Sequence, residues 1–204
     1  MTIFLRVGYL TSVVAVLAIF PGCGKDEEEK ASFLANLHGT WIQACRATAD
    51  GAGYIKQEVI SFGEDSMALN QTYASDAECL TKTLENKFVY SLTLGGAASE
   101  PAGSTELTAK VTKLLVTPHI DAVTNVYNAA NICTSGGTQW VTAEERDISS
   151  CAGVGDASQY TLISIDEQKK PKEIYLGDCD QSGRDCSLPE KRPTKVQDSP
   201  FQKQ

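Results

Sequence analysis

Histidine is nearly missing from this chain: its 204 residues contain only His38 and His119. A Ser-His-Asp or Cys-His enzyme would have to be built on one of them. The sequence has no Gly-x-Ser-x-Gly, and His119 stands beside Asp121 at an expected helix start, where surface and capping roles are common. No Cys-x-x-Cys occurs among the seven cysteines, which removes the usual dithiol redox motif and, with so few histidines, a zinc site. Acidic pairs are present, but Glu144-Glu145 and Asp166-Glu167 are immediate neighbours. Neighbours on a strand point to opposite faces, so neither pair makes a catalytic dyad. The chain is therefore read as non-enzymatic, with no cofactor.

Basic charge is also scarce. Lys and Arg number 18 against 26 Asp and Glu, a formal charge of −8. Such a surface repels phosphate backbones, so no nucleic-acid partner is expected. No polybasic tract is available to hold the chain electrostatically on a membrane. Hydrophobic content of 42% and charged content of 22% are those of a globular domain and exclude a wholly disordered chain.

What the sequence does have is an export signature. Arg6 is the only charged residue among the first 22, and Val13–Phe20 is an unbroken apolar run. Its length suits a signal-peptide core and is short for a spanning helix. The run stops at Phe20-Pro21-Gly22-Cys23 and gives way to Gly24-Lys25-Asp26-Glu27-Glu28-Glu29-Lys30. Here the chain resembles bacterial lipoprotein precursors, in which a small residue precedes a cysteine that is acylated and becomes the new N-terminus. Gly22 and Cys23 match that pattern, whereas Phe20 and Pro21 depart from it. The resemblance implies a signal peptide over 1–22, lipidation at Cys23, and a membrane partner through the lipid anchor. Gly24 in place of an inner-membrane Asp signal implies the outer membrane, facing periplasm or cell surface. An uncleaved anchor or a plain secretory peptide is the alternative.

Cysteine arithmetic agrees. Setting Cys23 aside leaves Cys45, Cys79, Cys133, Cys151, Cys179 and Cys186, an even set that an oxidising compartment would pair. Six cysteines allow fifteen connectivities, and sequential pairing is the favoured one. Residues 23–36 are too polar to fold alone over Lys25–Lys30 and read as an acidic tether.

Residues 37–186 carry strand signals. Phe88, Tyr90, Leu92 and Leu94 alternate with Lys87, Ser91 and Thr93, and only Val89 breaks the pattern. Leu107, Ala109 and Val111 repeat it, then Leu114 and Val116 fall out of phase, which predicts a bulge at Thr112 or Lys113. Further strands are expected over Thr40–Ala47, Tyr54–Phe62, Met67–Tyr73, Thr138–Glu145, Gln159–Ile165 and Glu173–Leu176, eight in all. Thr117-Pro118 predicts the start of one helix over 118–131, capped by Thr117. Residues 187–204, with three prolines, read as an irregular tail.

The fold class is thus mainly β: an eight-stranded antiparallel meander closing into a barrel, or else an open sheet or sandwich covered by the helix. Gly39-Thr40-Trp41 resembles the Gly-x-Trp of lipocalin-like barrels, whose Trp plugs the closed end, and Arg192 resembles the Arg packed over that Trp. The wider pattern is similar to a group of small bacterial lipoproteins with no assigned activity. It runs through Cys45, Tyr73, Asp76, Cys79, Thr117-Pro118-His119, Trp140, Leu176-Gly177-Asp178 and Arg192-Pro193-Thr194. The resemblance implies a small apolar or amphipathic ligand in the barrel; a structural or adhesion module with a filled core is the alternative. Trp41 and Trp140 are read as core. Asp178–Gly183 has the form of half a calcium loop, but Pro189 stands where the bidentate Glu belongs, and a stapled turn is preferred.

Overall fold

The computed structural model describes residues 23–61, 65–134, 137–155 and 158–204; the expected signal peptide over 1–22 lies outside them. Eight antiparallel strands close into a barrel in the order β4-β3-β2-β1-β9-β8-β7-β5, with β4 pairing back onto β5. They are β1 (Gly39–Ala47), β2 (Tyr54–Ser61), β3 (Ser66–Ala74), β4 (Lys82–Ala97), β5 (Thr105–Pro118), β7 (Ser158–Asp166), β8 (Glu173–Leu176) and β9 (Phe201–Lys203). A two-residue strand, β6 (Arg146–Asp147), pairs with β5 outside the closed ring. Among the described residues two α-helices, α1 (Cys23–Leu37) and α2 (Asp121–Ala129), and a short 3-10 turn over Pro189–Lys191 accompany the strands. This is a lipocalin-like barrel in architecture.

The alternation in β4 and β5 does what its period dictates. Phe88, Tyr90, Leu92, Leu94, Leu107, Ala109 and Val111 all join the main core. Between the pairs Val89↔Lys113 and Tyr90↔Val111, Thr112 is the extra residue, the predicted bulge. It lets Leu114 stay on the inner side, opposite Phe88.

The eighth barrel strand is not 138–145. There the backbone groups that a ladder would need are taken by side chains. Asn128 donates to the Trp140 carbonyl and accepts from its N–H, while Arg146 donates to the carbonyls of Thr138 and Gln139. The Arg146 guanidinium also sits 4.4 Å above the Trp140 ring. The closing strand is instead β9, from the tail expected to be irregular. It pairs with β1 through Trp41↔Lys203 and with β8 through Ile174↔Phe201.

The expected tether is helical. Its Lys25–Lys30 stretch is polar, but Phe33, Leu34 and Leu37 follow at helical spacing and pack against the main core. The Leu37 carbonyl accepts a hydrogen bond from Trp41 Nε1 at 2.8 Å. Asn36 binds Glu167 at 2.8 Å, and Lys203 Nζ lies 5.1 Å from the Trp41 ring centroid. Lys203 thus takes the place expected for Arg192, which is held elsewhere: it forms an ion pair with Glu106 at 2.9 Å and donates to the Thr161 carbonyl. Helix α2 also starts later than predicted. Thr117 and Pro118 remain in the β5 ladder opposite Glu85 and Leu84, and Ile120 occupies the cap position without a side-chain cap.

Three disulfides join Cys45–Cys79, Cys133–Cys151 and Cys179–Cys186. All lie at the barrel end opposite α1, where β1, β3, β5 and β8 finish. Each typically contributes about 2–4 kcal/mol by restricting the unfolded chain. Outside β7, Gly177 passes so close that a Cβ would stand 2.5 Å from Pro193 and from Thr161 Oγ1. The Gly177↔Val196 bridge and Gln181–Thr194 hydrogen bonds hold this tail over Leu162, which is fully buried.

Phe201 is buried in the main core and is the only apolar side chain that β9 brings. Phe201→Ala is expected to cost about 3–5 kcal/mol, the range for truncating a buried aromatic. Equilibrium urea denaturation measures this, and a loss within error of zero would show that closure by β9 contributes nothing to stability.

Candidate functional site

Strand register sorts the inner face into rows that run around the barrel. Nearest α1 is the row Gly39, Ser61, Met67, Tyr90 and Val111, followed by the apolar row Trp41, Val59, Leu69, Phe88 and Leu114. The next row is Gln43, Gln57, Gln71, Asn86 and Val116, and the one after it, beyond the bulge in β1, is Arg46, Ile55, Tyr73, Leu84 and Pro118. Because paired residues on neighbouring strands share a face, four amides stand side by side on the face that carries the core.

The apolar end is full. A cavity of about 20 Å³ remains among residues that include Leu34, Leu37, Trp41, Met67, Leu107 and Ile174. A water needs roughly 10–15 Å³ measured this way, and an apolar lining offers it no partner. Tyr90 is buried here, and burial pushes its phenol up to about 12. No apolar ligand fits in this enclosed space around Trp41; the free volume at this end lies beside α1, in an open cavity of about 410 Å³ lined by Lys30, Phe33, Leu94 and Thr105.

The disulfide end is open. Arg46, Ile55 and Tyr73 line a cavity of about 650 Å³ together with the β1–β2 loop, Ser75, Thr83 and Asp180. That volume lies within the roughly 300–1,000 Å³ of small-ligand sites. On the β4–β5 side the mouth is covered. Trp140, Val116 and Ile148 form a second core with Leu84, Leu114 and Tyr127, and the Tyr127 ring meets Trp140 edge-on at 5.1 Å. Burial, and then the neighbouring Tyr73 phenol, hold the Tyr127 phenol above its usual range. Tyr73 therefore stands between the covered and open halves of the mouth.

The rim is pinned by Asp76. Its carboxylate accepts backbone N–H bonds from Glu78, Leu80 and Thr81, and Cys79 in the same turn is bridged to Cys45 of β1. The N–H of Leu80, then that of Thr81, holds the Asp76 carboxyl below the usual carboxylate range.

The other sequence candidates fall away from the mouth or into structure. His38 is exposed at the start of β1, at the α1 end, and His119 follows β5 at the other, so the two histidines do not meet. His119 donates its backbone N–H to Thr83. Glu144 and Glu145 are exposed; Asp166 accepts from the Gln168 N–H, and Glu167 binds Asn36. In the calcium-like loop Asp178 accepts from the Asp180 N–H, Gln181 turns to Thr194, and Asp180 faces the cavity, so the oxygens do not converge. Among the described residues no group of three or more His, Cys, Asp or Glu is placed to hold a metal. Cys23 opens α1, remote from the mouth. The amide row escapes sequence reading because its members lie on four strands and are joined only by register.

No protein-family model matches the chain, and a search of curated proteins finds no relative.

The Asp76 hydrogen bonds exist only in the folded turn, so its lowered pKa is a stability contribution. It is complete above the unfolded carboxyl pKa of about 3.9 and is lost as pH falls through the lower folded value. Asp76→Asn is expected to lower the melting temperature at neutral pH and to narrow the gap between neutral and strongly acidic melts. Circular dichroism melts across that range check it; an unchanged gap contradicts the assignment.

Proposed function

We propose that this protein is a bacterial envelope lipoprotein, held to the outer membrane by acyl chains on Cys23, whose barrel binds a small amphipathic ligand at its disulfide end. The observation that carries the binding half of this reading is the cavity of about 650 Å³ bounded by Arg46, Tyr73 and Asp180, with the amide row one step deeper on the same wall. Polar groups inside a mouth that leads toward an apolar core suit a molecule with both characters. The binding role is non-catalytic.

The anchoring half rests on Gly22-Cys23 after an apolar run and on a cysteine set that pairs fully once Cys23 is set aside. Helix α1 leads from Cys23 into the end opposite the mouth, where Phe33, Leu34 and Leu37 are packed. An anchor at that end leaves the mouth and its disulfides directed away from the bilayer. Two or more acyl chains suffice for stable attachment, at about 0.8 kcal/mol per buried CH₂.

The filled apolar end favours a second reading, a structural or adhesion module that holds no ligand. Native mass spectrometry of the chain purified from envelopes separates the two: a bound compound of a few hundred daltons supports the first, and a bare chain supports the second. For the anchor, cells fed an alkyne analogue of palmitate are expected to label the wild type. Cys23→Ser should lose the label and no longer appear in the membrane fraction as the processed, acylated form; persistent labelling would place the lipid elsewhere.

A further inference from the structure

A cleft of about 510 Å³ lies between the β4–β5 loop, the β7–β8 loop and Val196 of the C-terminal segment. Asn36 of α1 bonds Glu167 on its rim, so the cleft belongs to the α1 end. Strand alternation builds its floor. Ile163, Ile165 and Ile174 join the core, so their neighbours Ser164, Asp166 and Tyr175 turn to the outer face. Ser164 pairs with Tyr175, and Ser104 prolongs the Thr105↔Ile163 ladder opposite Ser164. Three hydroxyls thus stand in one row, with Asp166 one step nearer the loop on β7.

Ser104 is 3% exposed, lines the cleft, and has no hydrogen-bond partner for its Oγ among the described residues. A buried hydroxyl is ordinarily satisfied, so this one lacks a partner that the cleft can supply. The groups around it call for a donor. Tyr175 gives its only proton to Glu173 Oε2 at 2.7 Å, which leaves the phenol oxygen able only to accept. The Glu173 hydrogen bond, then burial and the charges of Glu173 and Asp166, push that phenol up to about 12, so it stays protonated at neutral pH. Asp166 accepts one N–H, from Gln168 at 3.0 Å, and forms no ion pair among the described residues. Glu167, by contrast, is taken up by Asn36 and Lys172. No basic side chain lines the cleft.

We propose that this cleft binds a primary ammonium group, held by Asp166 and by the oxygens of Tyr175, Ser164 and Ser104. An ammonium brings three donors and no acceptor, which complements a carboxylate and a row of oxygens. A divalent metal would need six or more converging oxygens, and no group of three acidic or other ligating residues is placed to hold one among the described residues. A quaternary ammonium has no N–H and would leave the oxygens unpaired, a loss that such sites exploit in rejecting the analogue. The site is separate from the mouth and stands whether or not the mouth holds a ligand. The ammonium can come from a soluble amine or from an ethanolamine lipid headgroup. The lipid source rests on the anchoring reading above, which turns this end toward the bilayer. Lys169 and Lys170, exposed on the β7–β8 loop, suit the phosphate of such a headgroup.

The test follows the Val196 methyl resonances of the full chain, methyl-labelled and reconstituted in phosphatidylcholine nanodiscs. Ethanolamine is expected to shift them with a dissociation constant of about 10 mM or tighter, and choline to leave them in place. Asp166→Asn keeps the side-chain shape and should weaken ethanolamine binding by about tenfold or more. Ser104→Ala removes the unpartnered hydroxyl, so it should weaken binding while the melting temperature holds or rises, and it keeps the test open if the Asp166 variant fails to fold. Absence of a shift at tenfold that ethanolamine concentration, or an equal response to choline, overturns the assignment and leaves the mouth and anchor readings untouched. Nanodiscs containing phosphatidylethanolamine separate the sources. The same shift without added ethanolamine assigns the lipid, whereas a response to free ethanolamine alone assigns a soluble amine.

Discussion

Closure through three residues underlies everything else in this molecule. Strand β9 joins β1 to β8, and without it the sheet would have two open edges and no interior. Phe201 makes the join apolar, turning inward beside Ile174, while Lys203 extends over the Trp41 ring on the same strand. The Gly177↔Val196 bridge and the Arg192–Glu106 ion pair carry the chain along the outside of the barrel before it returns. The C-terminal segment is therefore part of the wall.

Once closed, the barrel has two unlike ends. Helix α1 enters one, and Phe33, Leu34 and Leu37 leave almost no free volume around Trp41. Six cysteines and α2 organise the other, where long loops must be held in place over a polar interior. Apolar burial at that end is confined to the small core around Trp140, and the disulfides restrain the loops that this core does not cover. One member of each bridge has a positive φ, at Cys79, Cys133 and Cys186. A left-handed non-glycine residue costs roughly 1–2 kcal/mol, which a covalent link can offset.

The strands that pair locally were legible because period and neighbour agree. Alternation over Phe88–Leu94 and the slip after Val111 gave the β4–β5 hairpin with its bulge at Thr112. Where the pattern misled, side chains had replaced the ladder: Asn128 and Arg146 occupy the backbone around Trp140, and alternation there reflects burial of one aromatic rather than a strand. Phe201–Lys203 is too short to show a period, and its partners lie far away in the chain. The α1 face was hidden by the acidic run before it. At the candidate site Tyr73 and Trp140 were visible as residues, but the row of amides was not, since each is an ordinary polar residue within its own strand.

By itself the sequence determined the class of fold, the positions of most strands and the helix after β5, and the six cysteines that pair, because each depends on short-range period or on counting. Tertiary structure alone decided which segment closes the barrel, that α1 fills one end, and that Gln43, Gln57, Gln71 and Asn86 share a row. Those facts are set by register between strands distant in sequence. A register shift of one residue would send every one of these amides to the outer face.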